Sequence, residues 1–418
     1  MTPDRPAAEP LSSRPVVELM AGAAVTDLGA GLFQLVGPWL MYDLTRSAVW
    51  VGLVAAVQGV MPWSGPVMGW LVDHADRRLV LALAVLAQAA GAGGLAVLVA
   101  AHAVNVAATL AAVVVIAAGL RLQLLTGSAL RQTLTPIGSR LRLNSWWALI
   151  TLLSSYGAPG LAGFLLQWRG VAFTLLVEAA ASVPLLMVAW RLAPNPGHAP
   201  AASPGGSLRE AVARLRAERG LWLYTWAMAF WNWNYAGVAA ILVYFYRSSL
   251  HFSAAEVGLA GLVAGLLPVG FTLFSARLNH RWGPGKVMVG GLMLSGLGML
   301  AMPMLANPSS VGTALGAIDG PIGPIMAALS TMTQNRIPAW LYGRVMAARL
   351  LISMGATPTA GILAGLLASR WGPGPVMAGF GGLTVVGASV GAWRTRLARV
   401  SLTGQVSEEE ESGWGRGD

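Results

Sequence analysis

Residues 79–120 read L-V-L-A-L-A-V-L-A-Q-A-A-G-A-G-G-L-A-V-L-V-A-A-H-A-V-N-V-A-A-T-L-A-A-V-V-V-I-A-A-G-L, 42 positions without one Asp, Glu, Lys or Arg. At 1.5 Å per residue a single helix of that length would run about 63 Å, twice the roughly 30 Å hydrocarbon core of a bilayer. The stretch therefore reads as two membrane spans turning near Ala101–Asn105. The same arithmetic predicts twelve spans, near 17–42, 48–72, 79–101, 104–126, 144–167, 170–191, 221–246, 254–276, 286–306, 311–333, 346–369 and 374–393. Composition agrees. A soluble chain carries about 25% charged residues, whereas only 11% of these 418 residues are charged and 56% are hydrophobic. Mean hydropathy is +0.63. So few polar side chains cannot cover a water-facing surface, and the expected class is an all-α membrane protein.

Basic residues set the expected orientation. With a cytoplasmic N-terminus, Arg46, Arg169, Arg247 and Arg370 fall outside, Arg121 falls within a span, and most others fall on the cytoplasmic side. Both termini are then cytoplasmic, in the inner membrane of a bacterium. The same asymmetry accounts for the net charge of +10, so no nucleic-acid partner is expected. There is no cysteine, and the five histidines show no ligand spacing, so neither a metal site nor a cofactor is expected.

The chain divides into an N-terminal segment (1–16), six spans (17–191), a linker (192–220), six more spans (221–393) and a tail (394–418). The linker opens A-P-N-P-G-H-A-P and continues into a short amphipathic helix with Leu208, Val212 and Leu215 on one face. The tail, with its Glu408–Glu411 run, is expected to be disordered. Residues 157–163 (G-A-P-G-L-A-G) and 355–361 (G-A-T-P-T-A-G) occupy corresponding places in the fifth and eleventh spans. This repeat predicts close helix packing at Gly157, Gly163, Gly355 and Gly361, bends at Pro159 and Pro358, and a pathway between two related halves.

Residues 69–78, G-W-L-V-D-H-A-D-R-R, form a short charged connection between the second and third spans. They resemble the signature loop of the major facilitator superfamily, G-x-L-x-D-R-x-G-R-R. Gly69, Leu71, Asp73, Arg77 and Arg78 match; His74 replaces a basic residue and Asp76 replaces glycine. The enterobactin-exporter and macrolide-efflux branch is similar here, and also at Y-D-L-T-R-S-A (42–48), in span 5, and at P-A-W-L-Y-G-R-V-M (338–346). The resemblance implies two six-helix bundles that rock about a central cavity. It implies a cytoplasmic gate formed by Gly69, Asp73, Asp76, Arg77 and Arg78, with spans 1, 4, 7 and 10 lining the cavity.

A carboxylate inside the membrane costs roughly 2.5–3.5 kcal/mol on insertion scales, which makes it a functional candidate. Asp27, Asp319 and Glu178 are such residues, and proton-coupled export requires a group that takes up and releases protons there. Arg121, near the end of span 4, reads either as a snorkelling residue or as a partner for one of these acids. In span 7, Trp231, Asn232, Trp233, Asn234 and Tyr235 combine stacking surface with amide hydrogen-bonding groups suited to an amphipathic ligand, and Gln34 of span 1 joins them as a cavity candidate. No G-x-x-x-x-G-K-[ST] phosphate loop occurs. The expected function is monomeric export of amphipathic small molecules such as drugs, macrolides or siderophores, by proton antiport among membrane lipids. The alternatives are a lipid or lysolipid flippase, an uptake transporter, and, further off, a membrane-embedded enzyme.

Overall fold

The computed structural model describes residues 14–135, 140–194, 208–394 and 397–401. The expected N-terminal segment falls almost wholly outside them, as do the Pro-rich part of the linker and nearly all of the tail. Regular structure among the described residues is helical. The helices are α1 (Arg14–Thr45), α2 (Ala48–Val60), α3 (Gly65–His74), α4 (Arg77–Ala100), α5 (Val106–Leu134), α6 (Arg140–Ala181), α7 (Val183–Arg191), α8 (Leu208–Ala217) and α9 (Arg219–Ser248). They continue as α10 (Ala254–Ala264), α11 (Leu266–Leu273), α12 (Ser275–Trp282), α13 (Pro284–Ala301), α14 (Pro308–Asp319), α15 (Ile322–Arg336), α16 (Ala339–Met354), α17 (Thr357–Trp371) and α18 (Pro373–Arg394).

Nine described helices are long and apolar enough to cross a membrane, or ten if the bent pair Ala48–Ser64 and Val67–His74 is one span. The expected twelve differ from this for two physical reasons. Ile150–Arg191 runs on as one apolar stretch, but Gly170 breaks it with φ 79°, a conformation open to glycine because it lacks a Cβ. Two spans therefore share one stretch. The 30-residue α9 is long enough, but its Trp, Asn and Tyr residues keep it from qualifying on hydropathy.

Local chemistry explains the ends. Asn105 follows the turn of residues 101–105 and its side chain accepts from the Ala108 amide at 2.9 Å, capping α5. Pro284 and Pro308 stand in the first turns of α13 and α14, where no amide hydrogen is needed. Many large apolar side chains are exposed in both units, among them Leu83, Val97, Leu273 and Trp393, the last two 77% and 80% exposed. Lipid is the solvent that such a surface fits.

The chain forms two compact units, Met1–Ala202 with Tyr246–Leu262, and Ser203–Phe245 with Val263–Asp418. In the first, α1 lies against α2, α5, α6 and α7, and α4 packs on α5, α6 and α7. Thr26 donates to the Gly22 carbonyl of its own helix and, at 3.1 Å, to the Ala181 carbonyl of α6. In the second, α13 packs on α14, α15 and α18, and α8 packs on α16. The apolar face of α8 is thus spent within the protein: Ala211 and Leu215 are fully buried in a core cluster that also holds Leu341 and Val345 of α16.

Candidate functional site

Asp27 sits inside the first unit at the end of a chain of amides. Gln123 of α5 donates from Nε2 to Asp27 Oδ1 at 2.8 Å. Gln88 of α4 donates to Gln123 Oε1 at 2.7 Å and to the Ala84 carbonyl at 3.3 Å. Both glutamines are buried, so three helices share one polar thread inside an apolar bundle. The basic group interacting with Asp27 is Arg131, not Arg121. The sequence reading ended span 4 near 126, whereas α5 runs to Leu134 and carries Arg131 as part of the helix. The Arg131 guanidinium lies 3.7 Å from the centroid of the Trp147 ring, a cation–π contact.

Arg121 stands elsewhere. With Gln34 and Gln58 it lines a cavity of about 190 Å³ whose walls include Phe33, Ile116 and Leu120. Glu178, 2% exposed, is buried in α6 behind α1, near Gly29. Neither of its carboxyl oxygens finds a hydrogen-bond partner among the described residues.

In the second unit Asp319, at the end of α14, hydrogen-bonds the side chain of Tyr235. Tyr235 in turn stacks on Trp231, with ring centroids 5.0 Å apart and planes at 14°. An intramembrane acid and part of the aromatic cluster of α9 thus form one constellation. The rest of the cluster points elsewhere. Asn232 donates to the Ser353 carbonyl of α16 at 3.0 Å, and Trp233 donates to Thr359 Oγ1 of α17 at 3.0 Å while its ring meets Phe380 edge-on. Asn234 is fully buried and donates back to the Phe230 carbonyl at 2.8 Å. Arg349 of α16, absent from the sequence reading, is also buried here and donates to Thr333 Oγ1 at 2.7 Å.

The signature-like loop has a definite local structure. Asp76, standing where the related pattern has glycine, caps α4 by accepting from the Arg78 amide at 3.0 Å. It also pairs with the Arg78 guanidinium at 3.0 Å. Arg77 is buried, with Nε 3.4 Å from the Val72 carbonyl. Asp73 lies in the last turn of α3. Gly69 is not a close-contact point: a Cβ there would meet nothing within 4 Å.

The repeat motif divides similarly. A Cβ on Gly163 would strike the Ala254 carbonyl and come within 2.7 Å of Gly258 Cα, whereas a Cβ on Gly157 would meet nothing within 4 Å. α6 continues through Pro159, whereas Gly355 ends α16 and Pro358 starts α17, where it is buried with Gly361. A further cluster was missed by the sequence reading. Arg247 pairs with Asp43 at 2.7 Å and lies 4.1 Å from the Trp39 ring centroid and 5.4 Å from that of Tyr42. The D of Y-D-L-T-R was its available signal.

Residues 230–415 match the family model of the Major Facilitator Superfamily. No curated protein matches the chain. Among solved structures, a bacterial homologue of the human lysosomal transporter Spinster, inward-facing and unoccupied, superposes with a TM-score of 0.73 at 14% identity, covering 96% of this chain and 100% of that one. A D-xylose–proton symporter gives 0.70 at 13% identity over 94% and 100%. A bacterial homologue of the iron transporter ferroportin gives 0.69 at 17% over 91% and 99%. The chain therefore has the fold of these transporters, and the family match lies in its second half.

Proposed function

We propose that this chain is a secondary transporter that exports amphipathic small molecules across a bacterial inner membrane by proton antiport. It works by alternating access, as a monomer, with both termini in the cytoplasm. The observation that carries the reading is the placing of one acid in each unit within a polar network. Asp27 is held by Gln123 and balanced by Arg131; Asp319 is held by Tyr235 on the Trp231 face. A carboxylate held by neutral donors beside a cation can change its proton without losing its place, which coupling to a gradient requires. The aromatic pair beside Asp319 offers apolar stacking surface next to a titrating group, which suits cargo with both characters.

The coupling step follows from charge. When Asp27 is ionised it balances Arg131; when it is protonated that charge is left uncompensated inside the bundle, and the two arrangements favour different conformations. Asp73, Asp76, Arg77 and Arg78 would then gate the cytoplasmic end. Purified protein in proteoliposomes tests the reading: proton movement that depends on an amphipathic substrate is expected. Asp27→Asn is expected to abolish proton-coupled transport without changing the amount of folded protein. Unaltered coupling in that variant removes Asp27 from the mechanism, and inward accumulation of substrate would replace export by uptake.

A further inference from the structure

The cavity beside Arg121 has a composition the mechanism above does not use. Its wall is built by α1 (Ala30, Phe33, Gln34), by the end of α2 and the turn after it (Gln58, Met61, Pro62), and by α5 from Ile116 to Leu124. Most of that surface is apolar. Two neutral amides and one guanidinium supply the polarity, and none of the lining residues is acidic. The guanidinium has no ion pair and no hydrogen bond among the described residues, and its Nε is buried without a partner. The charge one turn-set further along α5 is different, because Arg131 interacts with Asp27 and Trp147. Two cations on one helix thus have only one acid between them, and the acid is engaged by the other.

Arg121 is half-buried, and its Nε, turned away from water without a partner, is an unsatisfied donor, which is costly. Five N–H donors in a planar fork match a carboxylate, sulfonate or phosphate. Gln34 and Gln58 can each present an amide N–H to the same oxyanion or to a polar substituent of its carrier. The remaining wall takes an apolar body.

We propose that this cavity is a binding site for small amphipathic organic anions, with the guanidinium of Arg121 as the charge contact and Gln34 and Gln58 as neutral donors. The proposal deepens the transport reading by naming the cargo class as anionic. Binding an anion there gives Arg121 the counter-charge that the protein itself withholds, so an uncharged molecule of the same shape fits the walls but leaves the cation unpaired.

The test uses the full chain in detergent, without a gradient. The probes are 2-naphthoate and 2-naphthamide, matched in shape and differing in charge, with binding followed by tryptophan fluorescence and thermal shift. Wild type is expected to bind the carboxylate at least tenfold more tightly than the amide, and Arg121→Gln is expected to bind the two equally. Equal affinities in wild type, or an unchanged preference in Arg121→Gln, overturn the proposal. Should Arg121→Gln not fold, 6-azido-2-naphthoate photolysed on wild-type protein gives the answer. Label confined to peptides carrying Phe33–Gln34, Gln58–Pro62 and Ile116–Leu124 supports the site, and label elsewhere overturns it. Charge-selective binding without proton-linked flux would sink the antiport reading and leave this one standing. Proton-linked flux of cargo without charge-selective binding would do the reverse.

Discussion

Glutamine 123 is the residue on which the first polar network turns, because it accepts from Gln88 and donates to Asp27 with one side chain. Interhelical hydrogen bonds within membranes contribute about 0.6 kcal/mol on average and about 1.7 at most. Gln88→Ala and Gln123→Ala should each lower stability on about that scale, and together should cost less than their sum, since the second removal finds the bond already gone. Unfolding of the two single variants and the double variant in a mild detergent series measures this. Strict additivity would show that the bond contributes nothing. Glu178 gives the opposite case. Its carboxyl oxygens are buried without partners, and an unsatisfied buried polar group costs about 1–3 kcal/mol. Glu178→Leu is therefore expected to raise the apparent melting temperature; an unchanged or lower value would mean that the carboxyl is solvated. If transport falls as stability rises, the acid is retained for function at the expense of stability.

Among the elements, α6 shows how much a motif reading can resolve. Small residues at 157–163 announced close packing, but the sequence does not say which of them touch a neighbour. Gly163 and Gly160 face α10, at Ala254, Gly258 and Leu262, while Gly157 faces open space. Gly163→Leu should force α10 off α6 and destabilise by about 1–3 kcal/mol or more, as overpacking does. Gly157→Ala should stay within about 0.5 kcal/mol, as surface substitutions do. Thermal unfolding of the two variants separates them, and similar losses would contradict the packing described. The span 7 cluster teaches the same lesson from geometry. Successive helical residues lie 100° apart, so five in a row surround the axis and cannot line one cavity. Trp231 and Tyr235, four apart, share a face, and that pair is the one that stacks, with Tyr235 bonded to Asp319. Arg131 escaped the sequence reading for a different reason: hydropathy fades before a helix does, so its last polar turn looks like loop. Asp76 was legible as a departure from the signature, but its use as a helix cap required the backbone.

At the level of the whole molecule, the number and order of spans were legible because a bilayer imposes a length on every one of them. Gly170 fell where two spans had to part, and the turn at 101–105 fell where a 42-residue run had to fold back. Partners inside the bundles were not legible, since an apolar helix carries little record of which neighbour each polar side chain meets. Orientation rests on charge and can be tested directly, because the chain contains no cysteine and any introduced thiol is unique. Ala103 and Ser249 are exposed in the connections after α4 and α9, and Arg216 and Arg281 are exposed on α8 and α12. With both termini in the cytoplasm, the first pair faces outward and the second pair inward. Ala103→Cys and Ser249→Cys should therefore react with a membrane-impermeant maleimide in intact cells. Arg216→Cys and Arg281→Cys should react only after the membrane is opened. The reverse pattern would invert the topology and turn the proposed cytoplasmic gate at Asp73–Arg78 into an external one. Labelling of one member of each pair in intact cells would mean that the number of spans between them is wrong, since every added or lost span exchanges the sides of all that follows.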